Sequence, residues 1–224
     1  MKEIANLNDV VKILRGPDGC PWDKEQTFES LTPHIIEEAY ELVDAIEKKD
    51  YSELKEELGD VLLHIVMIAS MAEEKAIFDL NDVAKDVSDK MIRRHPHVFS
   101  DKKVNTVEEV WKNWDAIKQN EKKDTSLLDS IPKKLPSLLR ASKIQKRVSK
   151  TGFKWAPPTG AVATLNTELE KLKKKTGAKD KLLEEAGHML FSVVSVLRQH
   201  NINPEEALQK ANQTVISEFN KAAH

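Results

Sequence analysis

The chain has 224 residues, of which 40% are hydrophobic and 32% are charged, so it is long enough for one or two globular domains with a buried core. A formal net charge of -2 at pH 7 excludes a general electrostatic attraction to nucleic acid or to an anionic membrane. The single cysteine, Cys20, excludes an internal disulfide and a zinc site built from several cysteines.

Seven glycines, 5% aromatic residues and abundant Glu, Lys, Leu and Ala favour an all-α fold. The longest apolar run, residues 61–69, is interrupted by His64 and is too short to span a bilayer. Residues 1–14 have an amphipathic pattern without the apolar centre of a signal peptide. We therefore expect a cytoplasmic protein whose partners include neither nucleic acid nor a membrane.

The first predicted helix covers residues 3–14 and ends at the helix-breaking segment 15–19. In the loop that follows, Trp22 has two interpretations that the sequence leaves open: a plug over a small core, or a substrate-facing side chain. The next helix is expected to begin with Thr32 as its N-cap and Pro33 as its first helical residue.

Two pairs of carboxylates lie on the next two predicted helices. The first helix carries Glu38 and Glu41 beside its apolar stripe, and the second, which starts near Asp50, carries Glu57 and Asp60 in the same position. Residues spaced i, i+3 lie ~60° apart around a helix, so each pair points in one direction. If the two helices pack antiparallel, all four carboxylates converge.

Converging carboxylates need a compensating cation, and hard oxygen ligands suit Mg²⁺ or Mn²⁺. An isolated acidic pair on a helix is usually a solvated face. Here the same arrangement occurs on two adjacent helices, which favours a metal site. Gly59 supports the same interpretation. Glycine destabilises the interior of a helix by ~1 kcal/mol relative to alanine, so its presence indicates that another group approaches the backbone closely.

The second carboxylate helix is apolar on nearly all sides over residues 58–71, where Met67 lies off the main stripe. A helix buried on two sides in so small a unit suggests a subunit interface, so a homodimer is expected.

The predicted helix that follows the two carboxylate helices, residues 81–94, carries Lys90 and Arg94 one turn apart, with Arg93 beside them. Such a basic pair is usually a solvated face. Close to an acidic metal site it gains a second interpretation, because an enzyme that handles triphosphates needs carboxylates for the metal and cations for the phosphate oxygens.

The pattern of helices recurs in the second half of the chain, which divides it into a first repeat (residues 1–100), a helical connecting region (101–158) and a second repeat (159–224). The second repeat keeps the apolar pattern but loses half of the carboxylates and all three cations. In order along the chain, the paired positions are Glu38/Glu168, Glu41/Lys171, Glu57/Glu185, Gly59/Gly187, Asp60/His188, Lys90/Thr214, Arg93/Ser217 and Arg94/Glu218. We therefore expect the second repeat to be structural or regulatory.

Over nearly its whole length the chain resembles the MazG family of nucleoside triphosphate pyrophosphohydrolases, which are all-helical enzymes. Besides the two carboxylate pairs, the motifs that carry the resemblance are Gly-Cys-Pro-Trp-Asp-Lys-Glu-Gln-Thr at 19–27, Arg-Arg-His-Pro-His-Val-Phe at 93–99, Lys-Ile-Gln-Lys-Arg at 143–147 and Gly-Phe-Lys-Trp at 152–155. Together and in this order they are highly specific.

The resemblance implies Mg²⁺-dependent hydrolysis of a nucleoside triphosphate to the monophosphate and pyrophosphate, by attack of metal-activated water at the α-phosphorus. It also implies a helical bundle completed by dimerisation, and a role in cleaning the nucleotide pool. By matching positions, the metal ligands are Glu38, Glu41, Glu57 and Asp60. The proton acceptor is Glu37 or one of those ligands, and the substrate contacts are Trp22, Lys24, Lys90, Arg93 and Arg94.

Two alternatives belong to other classes. Because the second repeat is degraded, the first repeat either does the chemistry or belongs to an inactive member that binds nucleotide for regulation. A di-iron carboxylate bundle is disfavoured, since it requires two Glu-x-x-His motifs and only Glu185 with His188 provides one.

Overall fold

The computed structural model describes residues 2–121, 127–153, 158–173 and 179–223, and within these ranges all regular structure is helical. The predicted all-α fold is confirmed. The helices are α1 (Lys2–Arg15), α2 (Pro21–Glu25), α3 (Leu31–Lys48), α4 (Tyr51–Glu74), α5 (Leu80–Arg94), α6 (Pro96–Phe99), α7 (Val107–Asn120), α8 (Ser137–Ser149), α9 (Pro158–Lys173), α10 (Lys179–Gln199) and α11 (Pro204–Ala222).

None of the described helices is long and apolar enough to cross a membrane. The chain divides into two compact units, Met1–Glu121 and Lys122–His224. Helix α7 belongs to the first unit and α8 to the second, so both units draw on the predicted connecting region, residues 101–158. The division of the sequence at residues 100 and 158 stays a prediction. Lys154 and Trp155 of the Gly-Phe-Lys-Trp motif lie outside the described residues.

A helical hairpin of α3 and α4 forms the centre of the first unit. Lys49 ends α3 in the left-handed conformation, with φ of 58°, and the N–H of Asp50 donates to the carbonyl oxygen of Ala45 at 3.2 Å. The Asp50 carboxylate then caps α4 by accepting the N–H groups of Ser52 and Glu53 at 2.9 and 3.1 Å. The predicted start of the second carboxylate helix is confirmed.

The start of α3 differs from the prediction. The hydroxyl oxygen of Ser30 accepts the backbone N–H of Thr27 at 2.9 Å. In return, the hydroxyl oxygen of Thr27 accepts the backbone N–H of Ser30 at 3.1 Å. Thr32 lies inside α3 and donates its hydroxyl to the carbonyl oxygen of Phe28, so it is not the N-cap. The prediction was wrong because the helix begins earlier: Ser30 is the N-cap, without a side-chain capping hydrogen bond. Pro33 is tolerated anywhere in the first turn, where no helical partner exists for its nitrogen.

The core of the first unit lies where α1 and α3 pack against the second half of α4. Its buried members are Val11, Leu31, Val66, Met67 and Met71. Met67 is only 3% exposed, so it packs within its own unit and its expected place in a subunit interface is wrong. Helical periodicity could not decide this, because α1 covers a side of α4 that a two-helix hairpin would leave bare.

The second unit repeats this arrangement in α9 and α10, with α8 and α11 packed against α10. The turn after α4 recurs after α10: Ala76 has φ of 55° and Asn201 has φ of 56°. In each turn the next residue, Ile77 or Ile202, donates its N–H at 3.0 Å to a carbonyl oxygen of the preceding helix. This shared geometry supports the internal repeat that the sequence predicts.

Candidate active site

A cluster of three carboxylates lies across the α3–α4 hairpin. Glu38 and Glu41 on α3 and Glu57 on α4 each offer an oxygen, and these oxygens all lie within 4.8 Å of one another. Asp60 is outside this group of three, although its charge acts on both Glu41 and Glu57. The periodicity argument thus predicted side chains that the fold brings together, with Asp60 at the edge of the cluster.

The electrostatics of the cluster are those of crowded anions. Desolvation, followed by the negative charges of Glu38 and Glu37, raises the pKa of Glu41 above its ordinary value. Desolvation and the charges of Glu41 and Glu38 likewise raise the pKa of Glu57. The Oε2 atom of Glu57 is buried and has no hydrogen-bond partner among the described residues. A cation at this point would offset the repulsion.

The donor set fits a hard divalent ion. Mg²⁺ binds oxygen at roughly 2.0–2.1 Å, so opposite ligands in its octahedron lie about 4.2 Å apart. Neighbouring ligands of such an ion lie about 2.9 Å apart, so the three carboxylates, whose oxygens lie within 4.8 Å of one another, would draw together around it. Glu38, Glu41 and Glu57 are therefore suited to hold Mg²⁺ or Mn²⁺, whereas a softer ion would favour nitrogen or sulfur ligands.

His64 is a member of the site that sequence reasoning missed. It is 8% exposed, and its Nε2 lies 3.6 Å from Oε1 of Glu38. Its ring stacks on that of His34, with centroids 6.0 Å apart. The sequence did contain a signal, because His64 follows Asp60 by one helical turn and Glu57 by two, on the same face of α4.

Three further residues that the sequence assigns to the site, Trp22, Lys24 and Glu37, make different contacts. Trp22 is 54% exposed and its edge faces the ring of His34 at 6.4 Å between centroids. Lys24 donates its Nζ to the carbonyl oxygen of Pro17 at 2.8 Å, which fixes the loop. Glu37 is exposed, with Oε2 3.9 Å from Nδ1 of His34. Trp22 and His34 thus form one side of the carboxylate cluster, and Glu37 lies at its rim.

The predicted phosphate-binding cations lie in the last two turns of α5, where Arg93 and Arg94 are both bound by Glu121. The Oε1 atom of Glu121 lies 2.7 Å from Nε of Arg93, and its Oε2 lies 2.5 Å from Nη2 of Arg94. Hydrogen bonds from the two arginines lower the pKa of Glu121 to about 2. Sequence reasoning missed Glu121, since no local spacing connects it to α5. Lys90 is half-buried one turn before Arg94.

The second unit does not reproduce the carboxylate cluster within the part of the chain that the structure describes. Lys171, the counterpart of Glu41, donates its Nζ to Oε1 of Glu168 at 2.9 Å. Glu185 keeps one feature of its counterpart Glu57, a buried Oε2 without a hydrogen-bond partner among the described residues. An ammonium group therefore occupies the place that a carboxylate of the cluster holds in the first unit.

Comparison with known proteins agrees with the resemblance. Residues 26–99 match the MazG nucleotide pyrophosphohydrolase domain. The chain is 42% identical over 221 residues to the "Nucleoside triphosphate pyrophosphohydrolase" of Escherichia coli strain K12, covering 95% of this chain and 84% of that protein. It is 43% identical over 217 residues to the "Nucleoside triphosphate pyrophosphohydrolase/pyrophosphatase MazG" of Thermotoga maritima, covering 96% of this chain and 83% of the relative.

A solved structure of a mazG-related protein from Thermotoga maritima is also similar, with 28% sequence identity and a TM-score of 0.44, covering 53% of this chain and 99% of that chain. The two relatives named above match nearly the whole of this chain at more than 40% identity. The chain therefore belongs to the MazG family of nucleotide pyrophosphohydrolases, hydrolases acting on phosphoric anhydrides, as its sequence motifs predict.

Proposed function

We propose that this chain hydrolyses nucleoside triphosphates and their deoxy forms to the monophosphate and pyrophosphate, with water attacking the α-phosphorus and Mg²⁺ as cofactor. The observation that carries the proposal is the convergence of Glu38, Glu41 and Glu57, whose oxygens lie within 4.8 Å of one another, in a member of this family. The similar proteins of Escherichia coli and Thermotoga maritima are both named for this activity.

The carboxylates hold the cofactor. Glu38, Glu41 and Glu57 would bind Mg²⁺ directly, and Asp60, whose charge acts on Glu41 and Glu57, would complete the set. When bound, Mg²⁺ supplies charge neutralisation at the phosphates and makes water a better nucleophile at neutral pH. His64 acts as a positioning residue, because its Nε2 lies 3.6 Å from Oε1 of Glu38 and restricts that carboxylate.

The basic end of α5 would receive the phosphate chain. Lys90, Arg93 and Arg94 can donate charge-assisted hydrogen bonds to phosphate oxygens, and the planar guanidinium group suits two oxygens at once. Both arginines already bind a carboxylate, that of Glu121, which supports their use as an anion site. Phosphate binding then requires an exchange of one anion for another.

Roles for the remaining candidates follow from their places. Glu37 is exposed at the rim of the cluster and would accept the proton lost by the attacking water. The half-exposed indole of Trp22 offers a flat surface for the base of the nucleotide. Lys24 contributes by fixing the loop that carries Trp22.

A homodimer is part of the proposal. The α3–α4 hairpin exposes large apolar side chains along both helices; six of them are Ile36, Tyr40, Val43, Ile46, Leu58 and Ile65. Their exposed fractions range from 44% for Ile65 to 56% for Tyr40. A second copy of the hairpin would remove this surface from water and complete a four-helix bundle.

The test is a panel of nucleoside triphosphates incubated with Mg²⁺ and analysed for all phosphorus-containing products. We expect equal amounts of monophosphate and pyrophosphate. Diphosphate with inorganic phosphate would place the attack at the γ-phosphorus and contradict the proposal. Tight binding of nucleotide and Mg²⁺ without any product would instead identify a regulatory, inactive member.

A further inference from the structure

The two units of the chain carry opposite net charges. Met1–Glu121 contains 16 Lys and Arg against 27 Asp and Glu, and Lys122–His224 contains 19 against 10. The formal charges are therefore -11 and +9, which nearly cancel in the whole chain. The Debye length at physiological ionic strength, about 8 Å, is shorter than the radius of gyration of such a unit, so an anion near one unit responds mainly to that unit's charge. The expectation that nucleic acid is not a partner rests on the whole-chain charge and does not hold for the second unit.

Much of this positive charge lies on and around α8. The described segment 127–153, which contains α8, has one acidic residue, Asp129, and seven basic residues: Lys133, Lys134, Arg140, Lys143, Lys146, Arg147 and Lys150. By contrast, α5 mixes four basic residues with three aspartates, and its Lys85 pairs with Asp89. Since α8 itself contains no acidic residue, it lacks the mixture of charge signs that is typical of a solvated helix.

The lysines of α8 face away from the interior of the unit. Gln145 is completely buried and donates its Nε2 to the carbonyl oxygen of Phe191 in α10 at 2.9 Å. At ~100° per residue, Lys143, Lys146 and Lys150 lie about 100–160° from Gln145 around the helix. All three lysines are exposed. We call these three residues the α8 basic face.

The sequence motif Lys-Ile-Gln-Lys-Arg divides between the interior and this face. Arg147 is used within the unit, because its Nη1 donates to the carbonyl oxygen of Leu127 at 2.9 Å and to the hydroxyl of Ser130. The side chains of Lys143 and Lys146 make no ion pair or hydrogen bond with any residue that the structure describes. Gln145 and Arg147 thus hold α8 in place, while the two lysines present their charges to the solvent.

The first unit neutralises the corresponding place. Helix α1 packs against α4 as α8 packs against α10, and Lys12 of α1 pairs with Glu73 of α4 at 2.7 Å. When α4 and α10 are aligned on the left-handed residues that follow them, Ala76 and Asn201, Glu73 corresponds to Arg198. The second unit therefore has a cation where the first has a carboxylate that binds a lysine.

Arg198 and an aromatic ring both lie at the C-terminal end of the α8 basic face. Arg198 donates its Nη2 to the hydroxyl oxygen of Ser149 at 3.1 Å, and its Nε is buried without a hydrogen-bond partner among the described residues. Phe153 follows Lys150 after a turn at Gly152, whose φ is 82°, and is 57% exposed. Proteins that bind single-stranded nucleic acid combine cations for the phosphates with an exposed ring for a base.

We propose that the α8 basic face binds the sugar-phosphate backbone of a single-stranded nucleic acid, with one base stacked on Phe153. At 1.5 Å per residue, Lys143 and Lys150 lie about 10 Å apart along the helix, so the face contacts successive phosphates. A duplex is disfavoured because its bases are stacked on one another. A membrane is disfavoured because α8 packs against α10 and α11 and has no free apolar side to insert. The proposal is independent of the proposed function.

The experiment measures binding of fluorescein-labelled oligo(U) and oligo(dT) of about 15 nucleotides to the full chain by fluorescence anisotropy. Chelator is present, so that no divalent ion links the strand to the carboxylate cluster. We expect saturable binding that weakens with salt, with a logarithmic slope of about -0.7 for each phosphate contacted. The two oligonucleotides separate RNA from DNA as the source of the strand. Absence of saturable binding of both at about 50 mM salt would overturn the proposal.

Neutral variants identify the face. Lys143→Gln combined with Lys146→Gln should weaken binding severalfold and reduce the steepness of the salt dependence by about 1.4, because two phosphate contacts are lost. Lys181→Gln combined with Lys221→Gln removes the same charge from exposed positions of α10 and α11 and is the matched control, with an unchanged slope. Equal slopes in the two double variants would overturn the proposal. Circular dichroism checks that each variant is folded.

The aromatic contact and the type of anion are tested separately. Phe153→Ala should weaken binding about fivefold or more without changing the salt slope, and unchanged affinity would overturn the stacking contact. Unlabelled polyglutamate and phosphatidylserine vesicles should each displace the oligonucleotide far less effectively than unlabelled oligo(U) at equal charge. Equally effective displacement by polyglutamate would assign the face to an acidic protein, and by vesicles to a membrane; either result would overturn the proposal.

Discussion

Glu121 binds the guanidinium group of Arg94 through one carboxylate oxygen, which lies 3.1 Å from Nε and 2.5 Å from Nη2. Arg94 also lies over the ring of Trp114, 5.3 Å from its centroid, so Trp114 in α7 and Glu121, the residue that follows α7, hold this side chain from two directions. A phosphate oxygen that reached Arg94 would have to replace Glu121. The carboxylate therefore competes with the substrate for the cation that the proposed function assigns to it.

We predict that Glu121→Gln lowers the KM for nucleoside triphosphate severalfold with little change in kcat, because the neutral amide competes less with phosphate for the two arginines. Steady-state kinetics measures this. Glu108→Gln, an exposed change in α7, the helix that Glu121 follows, is the matched control and should leave KM unaltered. An unchanged KM in Glu121→Gln would mean that Arg93 and Arg94 do not bind substrate.

Removal of the cations themselves should weaken the binding of the triphosphate. Lys90→Ala and Arg94→Ala should each lose on the order of 1.5–3 kcal/mol of transition-state binding, or roughly 10- to 150-fold in kcat/KM. Lys85→Ala, on an exposed face of the same helix, is the control. Circular dichroism should show intact folding, and unchanged kinetics in both variants would return this pair to the role of a solvated helix face.

The two repeats should respond differently to loss of a carboxylate. Glu41→Gln and Asp60→Asn should remove most Mg²⁺-dependent pyrophosphate release, since both take a charge from the proposed metal site. Glu168→Gln and Glu185→Gln should leave turnover nearly unchanged, because Lys171 already neutralises the second cluster. The four variants are assayed side by side. Loss of activity in the second pair alone would assign catalysis to the second repeat.

The metal-free protein should lose stability as the pH rises through the upper part of the carboxylate range. The folded-state pKa values of Glu41 and Glu57 are raised above their ordinary value of 4.5. The folded protein therefore keeps protons that the unfolded chain releases, and the folded state becomes less stable as the pH rises above 4.5. Thermal unfolding should be measured in chelator at pH values about one unit apart, and it should show this loss between pH 5 and neutrality. Glu41→Gln should reduce it, and added Mg²⁺ should raise the Tm more at pH 7 than at pH 5. The same loss with and without Glu41 would contradict the assignment.

The contribution of Glu121 to this profile has the other sign. Its folded-state pKa is about 2, below the ordinary 4.5, so its stabilisation is present above 4.5 and disappears as the pH falls towards 2. Glu121→Gln should therefore lower the stability by a nearly constant amount above pH 4.5 and flatten its decline on the acid side, as thermal unfolding across the pH range would measure.

The proposed dimer is tested on the exposed face of the hairpin. Val43→Glu and Ile65→Glu place a charge where the structure exposes an apolar side chain, and both should convert a dimer to a monomer in light scattering. Ile13→Glu, at another exposed apolar position, is the control. A wild-type monomer at micromolar concentration would remove the argument. Met67→Glu is unsuitable, because it would bury an unpaired charge in the core and unfold the first unit.

Whether a feature can be predicted from the sequence depends on how far apart along the chain the interacting residues lie. Asp50 and the i, i+3 carboxylates were predicted because capping and helical periodicity are local. Met67 was placed wrongly because its burial depends on α1, which is distant in sequence. Glu121 was not found at all, since its pairing with Arg94 requires α7 to return along α5. The convergence of Glu38, Glu41 and Glu57 was therefore predictable, whereas the anion that binds the arginines was not.

The tight connection between α3 and α4 has a consequence for the order of events in folding. Glu38, Glu41 and Glu57 come from the two arms of one hairpin, joined only by Lys49 and Asp50. Closing so short a loop costs little chain entropy and takes place on the timescale of helical hairpins, far ahead of contacts between distant segments. The carboxylates are thus expected to meet early, so that Mg²⁺ added to a refolding chain should accelerate folding of the first unit rather than only slow its unfolding.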